Sequence, residues 1–244
     1  MEKSKVLHDF LEKIHGRMIV SCQAVPGEPL YVEEQSIMYL MARAAARAGS
    51  PAIRTSSIRD VEAIKKETGL PVIGLVKVQY EGYESYITPT MKEVDDLVAA
   101  GSDVVALDCT MRKRGDGRSI NEFVAEIREK YPDIILMADI STYEEGINAW
   151  KCGVDILGTT MSGYTPYSPR LDGPDYELMR RLSQDADIRK AGIPVIGEGR
   201  IHDPAQAVEA LRTGVWAIVV GGAITRPLEI ARRFMDAIDA AAPV

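Results

Sequence analysis

The stretch PVIGLVKVQY, residues 71–80, predicts a buried β-strand that ends in a charged side chain. Its apolar residues are mostly β-branched, and Gly82 follows shortly after it. A charged amine costs several kcal/mol to bury unless it is paired or neutral. The position of Lys77 at the end of this strand therefore calls for a chemical explanation.

Eight apolar runs of this kind recur along the chain, with amphipathic helical stretches between them. Near-continuous apolar strands are typical of a parallel sheet that helices cover on both faces. The predicted strands lie at residues 17–23, 51–57, 71–78, 103–110, 133–141, 154–160, 193–200 and 216–223.

Two architectures alternate strands and helices in this way, the closed eightfold barrel and the open doubly wound sheet. Eight units are present, and no GxGxxG motif follows the first strand. The sequence therefore predicts an α/β protein with a (β/α)8 TIM barrel fold, as a single domain over residues 1–244.

Several helix ends are also marked in the sequence. Ser119, followed three residues later by Glu122, predicts a capping box at the start of one helix. Thr88 or Thr90 is predicted to cap the helix after the third strand, and the segment 33–49 predicts a helix that stops at its final glycine.

The composition excludes several classes of protein. With 244 residues and a formal net charge of −7, general nucleic-acid binding is not expected, because it favours a basic face. Residues 1–17 are charged throughout, so no signal peptide is expected, and no apolar run is long enough to span a membrane. Cys22, Cys109 and Cys152 lack metal-type spacing, and the expected setting is a reducing cytoplasm.

Polar side chains follow most of the predicted strands. In an eightfold barrel, chemistry gathers where the strands run into the following loops. Any one of these residues could be a helix cap or a loop contact, but together they predict a polar pocket with both signs of charge. In chain order they are Gln23, Arg54, Lys77, Asp108, Asp139, Thr159, Thr160, Glu198, Arg200, Gly221 and Gly222.

The last two strands carry glycines at their ends, in GEGR (197–200) and VVGGAITRP (219–227). Glycine lets backbone N–H groups approach an anion closely, and a helix N-terminus adds a positive dipole. These loops therefore predict a phosphorylated substrate, with Arg226 as a further donor. The alternative is that the glycines only permit tight turns.

The histidines do not suggest a metal site. None of His8, His15 and His202 ends a predicted strand, so a metal-free site is expected. A magnesium site formed by Asp108 and Asp139 stays open as an alternative.

Lys77 and Glu198 are the candidate acid–base pair. They end the third and seventh strands, on opposite sides of the barrel. Burial near Arg54 or Arg200 would lower the pKa of the lysine and make it a competent base for a carbon-bound proton. A carboxyl group opposite could return the proton from the other face and invert a stereocentre. The alternative is a Lys77–Glu198 salt bridge that joins two loops.

Seven motifs in sequence order carry a family resemblance that runs from about residue 21 to 227. VKVQY, ITPTMKEVDDL, DCTMRKR, ADISTYEEG, MSGYTPYS, GEGRI and VGGAITRP resemble the N-acetylmannosamine-6-phosphate 2-epimerases of bacterial sialic-acid breakdown. The resemblance implies a cofactor-free and metal-free TIM barrel, commonly a homodimer. It implies interconversion of N-acetylmannosamine 6-phosphate and N-acetylglucosamine 6-phosphate by removal and return of the proton on C2.

Matched by position, the resemblance implies that Lys77 is the acid–base residue and Glu198 the second catalytic group. It implies substrate contacts by Gln23, Arg54, Asp108 and Asp139, and a phosphate site formed by the backbone of Gly199, Gly221 and Gly222 with Arg226. Thr160 and Arg200 are candidate substrate-binding residues from their strand-end positions. The chain departs from the family pattern at Cys109, Gly197 and Gly115. Whether Glu198 supplies the second proton, or Lys77 returns it with help from a substrate hydroxyl, stays open.

Three rival functions stay open at this point. A class I aldolase would use Lys77 to form a Schiff base with a carbonyl substrate. Another phosphate-binding barrel isomerase or decarboxylase would need a different acid–base set, and the DxKxxD arrangement of one such decarboxylase group is absent from the sequence. A sugar-phosphate sensor would bind without turnover.

Overall fold

A closed barrel of eight parallel strands forms the centre of the protein. The computed structural model describes residues 3–241. Each strand pairs with the next along the chain, and the eighth pairs with the first. The strands are β1 (Met18–Ser21), β2 (Ile53–Ser56), β3 (Val72–Leu75), β4 (Val104–Asp108), β5 (Ile135–Asp139), β6 (Ile156–Gly158), β7 (Val195–Glu198) and β8 (Ala217–Val220). All eight predicted strands and the (β/α)8 barrel are confirmed, whereas a single domain over residues 1–244 stays a prediction.

Helices alternate with the strands and surround the barrel. They are α1 (Lys3–Ile14), α2 (Met38–Arg47), α3 (Ile58–Thr68), α4 (Met91–Ala99), α5 (Ile120–Lys130), α6 (Tyr143–Lys151), α7 (Tyr176–Ser183), α8 (Ala186–Ala191), α9 (Pro204–Arg212), α10 (Gly222–Thr225) and α11 (Pro227–Ala241). A 3₁₀ turn at Thr159–Met161 follows β6. No helix within residues 3–241 is both long and apolar enough to cross a membrane.

Most of the predicted helix ends agree with the structure. Ser119 and Glu122 form the capping box of α5, since Ser119 N donates to Glu122 Oε2 at 2.7 Å. Thr90, rather than Thr88, caps α4. The helix predicted over residues 33–49 begins only at Met38, because Ser36 Oγ accepts a hydrogen bond from Met38 N and the preceding residues form a loop.

The N-terminal helix α1 closes the amino end of the barrel. Its Phe10 and Ile14 are buried in the same apolar cluster as the inward-facing residues of the strands. Trp216 Nε1 donates to Leu11 O at 2.9 Å, and the Trp216 ring packs on His15 at 4.2 Å between centroids. His15 therefore has a packing role, and the open end of the barrel is the opposite one, where the strands end.

The last helix, α11, does not bury any of its side chains among the described residues. Its apolar residues face outward, with exposed fractions of 68% for Phe234, 63% for Met235 and 61% for Ile238. An outer-ring helix of a barrel buries an apolar stripe against the strands. The last helix therefore does not pack as an outer-ring helix of its own barrel.

Gly74 in β3 tests how closely the helices pack on the barrel. A methyl group there would overlap Ser102 Oγ and lie 3.0 Å from Leu97 Cδ2. We expect Gly74→Ala to lower the free energy of unfolding by about 1–3 kcal/mol through overpacking, as measured by urea denaturation.

The control for this substitution is Ser102→Ala. Ser102 Oγ is buried without a hydrogen-bond partner in the described chain, so its removal alone should change stability little. Gly74→Ala combined with Ser102→Ala should recover part of the loss. Full stability of Gly74→Ala alone would contradict the predicted overlap.

Candidate active site

A cavity of about 200 Å³ opens at the carboxyl ends of the strands. Every residue predicted for the site lines this cavity except Asp108, Asp139 and Thr159. The predicted residues that line it are Gln23, Arg54, Lys77, Thr160, Glu198, Gly199, Arg200, Gly221, Gly222 and Arg226. The polar strand ends thus converge on one mouth, as the barrel requires.

Lys77 lies two residues beyond β3 and is half-buried in the cavity wall. Burial, with the positive charges of Arg226 and Arg54, lowers the pKa of its amine to about 8 against the opposing effect of Glu198. A fraction of Lys77 is therefore neutral near pH 7 and able to accept a proton. The predicted lowering is confirmed, with Arg226 acting where Arg200 was proposed.

Arg54 and Asp139 form a buried ion pair beneath the cavity. Two parallel hydrogen bonds join them, Nη1 to Oδ1 at 3.1 Å and Nη2 to Oδ2 at 2.7 Å. The side chains are only 1% and 0% exposed. Although burial opposes the charge, the carboxylates of Asp139 and Glu198 raise the pKa of Arg54, so its positive charge is permanent.

Glu198 lies beside this pair and faces the cavity. Its Oε2 is 3.2 Å from Arg54 Nη1 and 3.1 Å from Thr160 Oγ1. Burial raises the pKa of Glu198, and the Arg54 charge only partly offsets that effect. Within residues 3–241 no salt bridge joins Glu198 to Lys77, so the structure does not support the alternative in which these two residues only tie loops together.

Thr160 connects the two acidic residues. Its Oγ1 is 2.6 Å from Asp139 Oδ1 as well as 3.1 Å from Glu198 Oε2. A hydroxyl has one hydrogen to donate and can accept others. If Thr160 donates to Asp139 across the shorter distance, the second contact requires a protonated Glu198 that donates to Thr160. This contact and the raised pKa favour the neutral acid at Glu198, whereas the 3.2 Å contact of Oε2 with Arg54 Nη1 favours the carboxylate.

Asp108 lies at the end of β4 but outside the cavity lining. It is almost fully buried, forms an ion pair with Arg112, and accepts a hydrogen bond from Thr110 Oγ1 at 2.6 Å. Burial raises its pKa against the opposing charge of Arg112. Its acceptor positions are thus occupied by neighbouring residues, and substrate contact by Asp108 stays a prediction.

The two aspartates do not form a metal site with each other. Asp108 is bonded to Thr110 and Arg112, and Asp139 to Arg54 and Thr160. No cluster of three or more His, Cys, Asp or Glu side chains that could hold a metal ion occurs in the part of the chain that the structure describes.

The glycine-bearing ends of β7 and β8 border the outer part of the cavity. Gly199 has a φ of +114°, and Gly222 begins α10. A methyl group at Gly222 would overlap Glu229 Oε2, which is the movable end of a partly exposed side chain and can turn aside. Arg226 is beside them, with its Nε 3.0 Å from Glu28 and its Nη1 3.1 Å from Glu229.

Two further predicted residues are held by protein contacts at the cavity wall. Gln23 donates from Nε2 to Ser21 Oγ at 2.9 Å, while its buried Oε1 has no partner among residues 3–241. Arg200 donates from Nε to Gly173 O at 2.9 Å and from Nη1 to Ser162 O at 2.5 Å. Arg200 thereby ties the loop after β6 to the end of β7.

Sequence reasoning missed several residues of the cavity lining, among them Tyr86, Tyr164, His202 and Glu229. Tyr86 returns to the cavity because residues 76–78 and 86–88 form a short antiparallel arm, with Val78 N donating to Tyr86 O at 3.0 Å. The glycine turn at Gly82 between two apolar segments was the available signal for this arm.

Comparison with known proteins gives a family match over most of the chain. Residues 38–240 match the family described as "Putative N-acetylmannosamine-6-phosphate epimerase". A relative from Caldanaerobacter subterraneus is 54% identical over 230 residues, which cover 94% of each chain. A relative from Clostridioides difficile is 46% identical over 94% of this chain and 99% of its own. Both are named "Putative N-acetylmannosamine-6-phosphate 2-epimerase".

Solved structures agree with this match. The N-acetylmannosamine-6-phosphate 2-epimerase from Clostridium perfringens superposes with a TM-score of 0.85 at 46% identity, covering 93% of this chain and 95% of its own. Thiamine phosphate pyrophosphorylase from Pyrococcus furiosus shares only the fold, with a TM-score of 0.56 at 20% identity.

The lowered pKa of Lys77 predicts a pH-dependent stability. Below pH 8 the folded protein carries a charged, desolvated lysine, whereas between pH 8 and about 10.4 only the unfolded chain keeps that proton. The unfolded state binds more protons in this window, so the free energy of unfolding of wild type rises with pH across the window. We expect Lys77→Met to be about 1–2 kcal/mol more stable than wild type below pH 8, with the difference closing towards pH 10.

Denaturant unfolding at pH 6.5, 8 and 9.5 measures this difference. Lys92→Met is the matched control, because Lys92 is exposed and paired with Asp96. It should change stability by less than about 1 kcal/mol. A constant difference between Lys77→Met and wild type at every pH would contradict the lowered pKa.

Proposed function

The chain belongs to the N-acetylmannosamine-6-phosphate epimerase family, and we propose that it interconverts N-acetylmannosamine 6-phosphate and N-acetylglucosamine 6-phosphate. The observation that carries the proposal is the pairing, in one cavity, of an amine with a lowered pKa and a carboxyl group with a raised pKa. Such a pair can remove a proton and supply another at neutral pH.

In the proposed reaction the open-chain sugar has an aldehyde at C1, which acidifies the proton on C2. Neutral Lys77 takes this proton, and the C–H electron pair moves to form an enolate with its charge on the C1 oxygen. The neighbouring positive charge of Arg54 favours that anion. No electrons are gained or lost, because a proton returns to the same carbon.

Glu198 is proposed to return the proton to the opposite face of C2. In its neutral form it has a proton to give, and its contacts with Thr160 and Arg54 fix its position. After the transfer Glu198 is an anion beside Arg54, whose charge stabilises it. Product release and proton exchange with water then restore the neutral acid and the neutral amine.

The phosphate is proposed to bind at the glycine-bearing ends of β7 and β8. Backbone N–H groups near Gly199, Gly221 and Gly222 can approach an anion without a side chain between them. Arg226 borders the same region and would supply a charged donor. Because the Glu229 carboxylate lies against Gly222, its exposed side chain has to turn away when the phosphate enters.

Solvent exchange at C2 tests the reaction directly. In D2O, wild type should replace the C2 proton of N-acetylmannosamine 6-phosphate by deuterium as the N-acetylglucosamine epimer forms, as followed by proton NMR. Lys77→Ala should do neither. Glu198→Gln should slow epimerisation by about 10²–10⁴-fold while still exchanging the C2 proton that Lys77 removes.

The controls separate the rival functions. Lys92→Ala, an exposed lysine on α4, should keep wild-type rates. Unchanged epimerisation by Glu198→Gln would support a single base with help from a substrate hydroxyl. A covalent adduct at Lys77 after borohydride treatment would indicate an aldolase. Binding without turnover or exchange by wild type would indicate a sensor and overturn the proposal.

We further propose that the protein is a homodimer in which α11 packs against the second copy, and that it works in the cytoplasm. The outward apolar face formed by Phe234, Met235 and Ile238 supports the dimer. The free thiols of Cys22 and Cys109, both buried, suit a reducing compartment.

Substitution on α11 tests the dimer. Phe234→Asp combined with Ile238→Asp should convert the protein to a monomer in sedimentation velocity, because two charges would be desolvated at the interface. Arg232→Ser, on the same helix, should leave the mass unchanged. A monomeric wild type would contradict the proposal.

A further inference from the structure

The barrel has a local interruption between the ends of β3 and β4. These strands pair at Ile73↔Val104 and Gly74↔Val105, and their ladder goes no further. Beyond that point residues 86–88, here called the wedge segment, lie between the two strands. Asp108 N of β4 donates to Ile87 O at 2.9 Å on one side of it.

The other side of the wedge segment determines the backbone position of Lys77. Lys77 pairs with Ile87 in an isolated antiparallel bridge. The flanking residues are bonded as well, because Val78 N donates to Tyr86 O at 3.0 Å and Thr88 N donates to Val76 O at 2.7 Å. Lys77 is thus held by the wedge segment and not by β4.

Thr88 joins the wedge segment to both strands. Its hydroxyl donates to Ala106 O of β4 at 2.7 Å and accepts from Val76 N at 3.2 Å. The residue is completely buried, so water cannot replace these bonds. The two hydrogen bonds of this hydroxyl therefore fix the distance from the wedge segment to the chain on either side of it.

The backbone of Thr88 is strained. Its φ is +47°, in the left-handed region that β-branched residues rarely adopt, and Pro89 follows it. A strained residue persists only where its surroundings require it, and such residues cluster at functional sites. Glycine would adopt this φ without strain but would lack the hydroxyl.

We propose that Thr88 is a positioning residue for Lys77, whose buried hydroxyl holds the wedge segment between β3 and β4 and thereby sets where the lysine amine lies in the cavity. The inference rests on the proposed function for its kinetic readout. Thr88 itself is outside the cavity lining, so it acts through Lys77 and not on the substrate.

Thr88→Val is the main test, since it keeps the shape of the side chain and removes the two hydrogen bonds of the hydroxyl. We expect kcat to fall by about 10- to 100-fold, because small misplacements of a catalytic group have effects of this size. KM should change by less than about threefold, since the phosphate site is on the other side of the cavity. Thr88→Ser keeps the hydroxyl and should retain kcat within about threefold of wild type.

A second measurement reports on Lys77 without any turnover. The rate at which an amine-reactive ester modifies Lys77, followed by peptide mass spectrometry across pH, gives the pKa of the amine. In wild type its midpoint should be near pH 8. In Thr88→Val it should move towards the ordinary lysine value of about 10.4.

A shift of the Lys77 pKa in Thr88→Val can be attributed to a changed position of the amine. The charged groups that face Lys77 are Arg54 in β2, Glu198 on β7, Arg226 after α10 and Glu28 in the loop after β1. None of them is altered by a substitution at Thr88. A changed pKa therefore means that the amine has moved relative to these charges or has become more hydrated.

Thr88→Gly covers the case in which Thr88→Val does not fold. It relieves the backbone strain and also lacks the hydroxyl, so it should show the same loss of kcat and the same shift of the Lys77 midpoint. Wild-type kcat and midpoint in either folded variant would overturn the inference. Failure of both variants to fold would also overturn it, by making Thr88 a stability residue.

The proposed function can fail separately. If wild type itself does not exchange the C2 proton, the epimerase proposal falls, while the modification profile of Lys77 in wild type and the Thr88 variants still decides whether Thr88 positions the amine.

Discussion

Arg54 and Asp139 form an ion pair with almost no exposed surface at the base of the cavity, and the chemistry above it depends on this pair. Removing one partner of a buried ion pair costs about 3–5 kcal/mol, because the other charge is left without compensation. Here the two parallel hydrogen bonds keep both charges in place. The pair therefore acts as a fixed source of field for the two groups that face the substrate.

That field acts differently on the two sides of the cavity. Burial is the main cause of both pKa shifts, and the positive end of the pair, Arg54, further lowers the pKa of Lys77 and limits the rise in that of Glu198. The negative end, Asp139, raises the pKa of Glu198 and accepts the hydroxyl hydrogen of Thr160 at short range. Two titratable groups whose environments move their pKa values towards neutrality are what an acid–base pair needs. One buried pair thus contributes to both adjustments.

The sequence predicted where the site residues lie better than it predicted which residues they bond to. Strand ends could be read from apolar runs, and the barrel brings every strand end to one mouth, which is why Arg54, Lys77 and Glu198 were found. The sequence did not show that Arg54 bonds to Asp139, or that Asp108 bonds to Thr110 and Arg112. These pairings depend on distances between side chains, which the sequence does not give. The sequence also does not show what covers the apolar face of α11, because an apolar stripe does not specify its partner.

Among the non-glycine residues of the described chain, 3–241, backbone strain occurs only near the mouth of the barrel. Ser57, Thr88 and Arg200 have positive φ; Ser57 and Arg200 follow the ends of β2 and β7, and Thr88 lies in the wedge segment. Each also makes side-chain hydrogen bonds that compensate: Ser57 accepts from Asp60 N, Thr88 bonds to two strands, and Arg200 donates to two carbonyl groups. The closed ladder and the buried core below the mouth carry no such strain. Because that regular part supplies most of the stability, the catalytic end can keep unfavourable backbone geometry where it sets the direction of a functional side chain.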